Sequence, residues 1–104
     1  MSEPIGDQPE STQKQLSRSL GTIWANHTGG KPGAVSTSVS GDVVRCEMAD
    51  ADGRSPDTAG YRNDAMHAVS RVTGRKVRGF IPKHDKKTDV TTDTFILEPP
   101  RVAR

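Results

Sequence analysis

The chain has little with which to build a core: 31% of its 104 residues are hydrophobic, and its aromatic residues are one Trp, one Tyr and two Phe. A domain of this length buries a smaller share of its surface than a larger one, so a thin core is a handicap. Two expectations follow. Part of the chain stays unstructured, and part of the surface is covered by a partner. No apolar run exceeds three residues, as in Phe95-Ile96-Leu97. A membrane-spanning helix needs about 20 apolar residues and a secretory signal about 7–15, so neither is expected and the cytoplasm is the expected location. The single cysteine, Cys46, excludes an intrachain disulfide.

Excess charge is also scarce, with a formal net charge of +2. Its distribution is uneven: residues 1–60 carry 5 basic and 8 acidic side chains, and residues 61–104 carry 10 basic and 5 acidic. The basic cluster includes Arg71, Arg75, Lys76, Arg78, Lys83, Lys86 and Lys87. A solvated face that keeps the protein soluble is the favoured reading. An anion-binding patch on Arg75, Lys76, Arg78 and Lys83 is the alternative.

What is present reads as an α+β chain. Residues 1–10, with two prolines and only Ile5 to bury, read as a tail, as do residues 100–104. Leu16, Leu20, Ile23 and Trp24 form one stripe of an amphipathic helix, which Thr28-Gly29-Gly30 ends. Val35, Thr37 and Val39, then Val44, Cys46 and Met48, alternate as two strands around the turn Ser40-Gly41-Asp42. Asp50 to Asp57 reads as a loop, with Ser55-Pro56 suited to open the next helix. Tyr61, Ala65, Ala68, Val69 and Val72 make a second stripe, ended by Thr73-Gly74. Strands are then expected at Val77–Ile81 and Val90–Leu97, joined by a charged loop from Lys83 to Asp89.

The two halves repeat. Shifting Leu16, Leu20, Ile23, Trp24, Thr28, Gly29 and Lys31 by 45 positions gives Tyr61, Ala65, Ala68, Val69, Thr73, Gly74 and Lys76. Apolar stripe and stop signal register together. The expected fold is two αββ units in a single domain over residues 11–99, forming a four-stranded antiparallel sheet with both helices on one face.

Sites of chemistry are sparse. Gly30-Lys31-Pro32-Gly33 has the spacing of a nucleic-acid-clamping loop but leads from a helix into a strand, where that motif joins two helices. Arg78-Gly79-Phe80 opens like an RNA-recognition strand but lacks the later stacking aromatics. His27, His67, His84 and Cys46 show no metal-ligand spacing. His84-Asp85 has the order of a base and its orienting carboxylate, but in an exposed hairpin loop. Cys46, alternating with Val44 and Met48, reads as a core residue. No catalytic, cofactor-binding or metal residue is expected.

The stretch Val72-Thr-Gly-Arg-Lys-Val-Arg-Gly-Phe-Ile81, then His84-Asp85, Thr88-Asp89 and Thr94-Phe-Ile-Leu-Glu-Pro99, resembles the C-terminal half of the MpsC family. His27-Thr28-Gly29-Gly30-Lys31-Pro32 and Gly41-Asp42-Val43-Val44 resemble its first half, so the likeness covers about residues 12–99. It implies a small cytoplasmic accessory protein of a cation-translocating, membrane-potential-generating system, acting without enzymatic chemistry through protein contacts. Members carry a longer charged segment where this chain has Asp50–Gly60. A basic nucleic-acid- or anion-binding module is the alternative. Strict alternation also predicts that Phe80 and Ile96 lie on the open face of the sheet, ringed by Arg78, Arg45, Thr92 and Thr94. An aromatic and an aliphatic inside a polar rim suit an interface, here that of a homodimer.

Overall fold

The computed structural model describes residues 11–49 and 59–99; the two expected tails, the Asp50–Asp57 loop and the Ser55-Pro56 helix start lie outside the described residues. The elements run α1 (Thr12–Thr28), β1 (Ala34–Ser40), β2 (Val43–Ala49), α2 (Ala59–Thr73), β3 (Val77–Asp85) and β4 (Val90–Leu97). All strand pairs are antiparallel, in the order β1-β2-β4-β3. Each αββ unit therefore contributes one hairpin. The hairpins join through β2 and β4 at the centre, which leaves β1 and β3 as edges.

Local chemistry sets the element ends. Ser11 caps α1, its hydroxyl accepting from the Lys14 N–H at 3.2 Å. The repeated Thr-Gly stop signals take the same form in both helices. Gly29 and Gly74 adopt φ of 83° and 71°, and their N–H groups donate to Ala25 and Ser70 carbonyls. The Thr28 and Thr73 hydroxyls lie 2.9 and 2.7 Å from the Trp24 and Val69 carbonyls one turn back. Gly41 takes φ of 58°, as a two-residue hairpin turn with glycine first requires.

Both stripes pack on one face of the sheet. α1 buries Leu16, Leu20 and Trp24, and α2 buries Tyr61, Ala65, Ala68 and Val69. They close over Val44, Cys46 and Met48 of β2 and over Phe95 and Leu97 of β4. Arg45 and Glu47 point away, as alternation requires.

Two expectations need correction. β3 continues through Pro82 to Asp85, so the β3–β4 loop is shorter than the expected Lys83–Asp89. A proline is tolerated there because β3 is an edge strand. The second correction concerns Phe80. Val77 pairs with Leu97 but Gly79 pairs with Ile96, so Arg78 is an extra residue at a bulge. The bulge flips the alternation downstream. Phe80 thereby pairs with Phe95 and packs against the core under the helices, while Gly79 and Ile81 turn to the open face.

Trp24 is 1% exposed and meets Tyr61 edge to face at 5.9 Å. Among the described residues its indole N–H finds no acceptor. Trp24→Ala should cost about 3–5 kcal/mol, as large core truncations do. Trp24→Phe should cost clearly less, because it removes an unsatisfied donor worth about 1–3 kcal/mol. Urea denaturation of both variants checks this; equal losses would show that the indole N–H is satisfied.

Candidate functional site

The groups most capable of chemistry are sealed inside. Strict alternation from Phe95 and Leu97 carries Asp93 to the helix-facing side of β4, where it is 2% exposed. The Tyr61 hydroxyl donates to its Oδ2 at 2.5 Å. Cys46 sits opposite Asp93 across the β2–β4 pair. Thr37, opposite Cys46 on β1, meets Ser17 of α1 at 2.7 Å. A polar line thus crosses the core from α1 to α2.

Burial dominates the ionisation of this line. It raises the Asp93 carboxyl above its ordinary value, partly offset by the Tyr61 hydrogen bond. It pushes the Cys46 thiol up to about 12, and it also raises the Tyr61 phenol. At neutral pH the thiol is protonated and the phenol is a neutral donor, so neither serves as a nucleophile or a base. The alternation of β4 was the available sequence signal for Asp93.

The anion patch is dispersed. Arg75 is occupied: its Nε donates to the Glu98 carbonyl and Nη1 to the Gly41 carbonyl, both at 3.0 Å, and Nη2 pairs with Asp42. This fork ties the start of β3 to the β1–β2 turn and the end of β4, as a lysine could not. Lys76 and Arg78 are exposed at the start of β3, and Lys83 lies near its other end. From Arg78 to Lys83 an extended strand spans roughly 17 Å.

At the far end of β3, an open hollow of about 860 Å³ is lined by Lys83, Lys86 and Lys87, but also by Glu47 and Asp85. Its mixed signs suit no anion. His84 faces Thr91, its Nδ1 2.9 Å from the hydroxyl, and its Nε2 lies 3.5 Å from Asp89, not Asp85. The Asp85 carboxylate instead accepts from the Lys87 N–H within the turn. No group of His, Cys, Asp and Glu suited to a metal occurs among the described residues.

The open face of the sheet is the remaining candidate. Across β2, β4 and β3, Arg45 pairs with Thr94 and Thr94 with Ile81, while Val43 pairs with Ile96 and Ile96 with Gly79. A third row is Glu47, Thr92 and Lys83. Ile96, Thr92, Thr94 and Arg45 therefore share this face, and Ile81 takes the place expected of Phe80. At 55%, Ile81 is the exposed large hydrophobic residue among the described residues. Gly79 has a packing reason: a Cβ there would come within 3.3 Å of Ile96. No helix among the described residues is long and apolar enough to cross a membrane. No family model, curated protein or solved structure matches this chain.

The raised Asp93 carboxyl has a pH consequence. The folded protein holds this proton more tightly than the unfolded chain does. The resulting stability is full below the ordinary Asp value of about 3.9 and is lost as pH rises through the folded value. Asp93→Asn keeps an acceptor for Tyr61 and removes the ionisation. Urea melts across roughly pH 4 to 7 should show wild type losing stability relative to Asp93→Asn as pH rises. The opposite slope would show a carboxylate stabilised by its surroundings.

Proposed function

We propose that this chain is a non-enzymatic accessory protein that docks the open face of its sheet onto a protein partner. The observation that carries the reading is Ile81, 55% exposed beside Ile96 and Thr94, with Arg45 and Lys83 in the neighbouring positions. An apolar centre inside a polar, arginine-containing rim has the composition of an interface hot spot. The complementary surface is apolar at its middle and charged at its edge, with carboxylates opposite Arg45 and Lys83 and a cation opposite Glu47. The burial of Cys46 and Asp93 beneath the helices supports a role in contact rather than catalysis. The resemblance of residues 72–99 to the MpsC family supports the soluble side of a cation-translocating membrane complex as the partner class.

Nucleic-acid binding is the weaker reading, because Arg75 is committed within the fold and the remaining cations are spread along β3. Co-purification of the tagged full chain from its native host, compared with Ile81→Asp, separates the two. The expected result is a protein retained by wild type at moderate salt and lost from Ile81→Asp, with both proteins melting alike. Retention of the same protein by Ile81→Asp contradicts the reading. So does recovery of nucleic acid alone, released steeply as salt rises.

A further inference from the structure

The two edges of the sheet are treated unequally. β1 and β3 hold equivalent places in the two αββ units, and among the described residues each leaves one side of its backbone without a strand partner. Unpaired edges invite another strand, and proteins guard them with bulges, prolines and lysines. β3 carries all three devices: the bulge at Arg78, then Pro82 and Lys83. β1, Ala34-Val-Ser-Thr-Ser-Val-Ser40, carries none. It has no charge and no proline, and its register with β2 is unbroken along its whole length.

The sequence of β1 is also self-complementary. Val35-Ser36-Thr37-Ser38-Val39 reads the same in both directions about Thr37. Antiparallel pairing of two copies about a two-fold axis at Thr37 sets Val35 against Val39 of the second copy and Ser36 against Ser38 of the second copy. Faces match: valines meet on the helix-covered side and serines on the open side.

Hydrogen-bond parity agrees. In a hairpin with a two-residue turn, the flanking pair, here Ser40 and Val43, is a hydrogen-bonded one, and such pairs alternate along the ladder. Ser36 and Ser38 thus spend their backbone groups on β2, and those of Val35, Thr37 and Val39 point outward. The same three residues form the hydrogen-bonded pairs in the two-fold arrangement, so every outward group finds a partner. Helix α1 lies above this edge with small side chains. Ser17 touches Thr37, and a Cβ on Gly21 would sit 3.3 Å from Val35.

We propose that β1 is a homodimer interface, two copies pairing antiparallel about Thr37 into one continuous eight-stranded sheet. This surface is separate from the open face argued above, so either can fail alone. Light scattering of the full chain at tens of micromolar should give the mass of a dimer. Amide hydrogen exchange should show Val35, Thr37 and Val39 gaining protection with protein concentration, with Ser36 and Ser38 protected at every concentration. Ser36→Lys with Ser38→Lys, both at exposed positions, should give a folded monomer that lacks the gain. Ile81→Asp should remain dimeric. A monomeric wild type overturns the proposal, as does a dimer without concentration-dependent protection at Val35, Thr37 and Val39. Loss of the dimer in Ile81→Asp would move the interface to the open face and overturn it equally.

Discussion

The fold depends on a chain of aromatic contacts that uses every aromatic residue of the sequence. Trp24 meets Tyr61, Tyr61 meets Phe80 at 6.4 Å, and Phe80 meets Phe95 at 5.1 Å. One ring comes from each of α1, α2, β3 and β4, so both αββ units are pinned together under the helices. Among the described residues both helices lie on one face of the sheet, and few large apolar side chains are left for the other. The open face and the edges follow from that shortage.

The polar line beneath the helices belongs to the same constraint. Asp93 occupies a core position that an apolar residue would fill more cheaply, and it is tolerated because Tyr61 reaches it. Tyr61 thus serves two ends, its ring in the aromatic chain and its hydroxyl on the carboxyl. The arrangement favours one register between the helices and the central β2–β4 pair.

Much of the architecture was legible in the sequence because it is written in local signals. Thr28-Gly29 and Thr73-Gly74 mark helix ends by backbone geometry, and the apolar stripes before them mark the buried faces. The hairpin at Gly41-Asp42 needs only its turn chemistry. The bulge at Arg78 was not legible, since alternation along one strand cannot register an unpaired residue that only the partner strand reveals. That single residue moved Phe80 into the core and put Ile81 on the open face. The role of Arg75 was not legible for a related reason. Arg75 and Lys76 are neighbours in sequence, yet the Arg75 guanidinium turns inward to bind carbonyls of two other segments.

A sheet covered on one face, guarded on one edge and bare on the other is the physical basis of both proposed contacts. The open-face contact rests on the side to which β3 presents Phe80 and Ile81. Equilibrium unfolding of Phe80→Ala and Ile81→Ala, measured side by side, tests that placement most directly. Phe80→Ala should lose about 2–3 kcal/mol, as truncation of a half-buried core aromatic does, and Ile81→Ala should stay within about 0.5 kcal/mol of wild type. A large loss for Ile81→Ala with little change for Phe80→Ala would restore strict alternation and contradict the account.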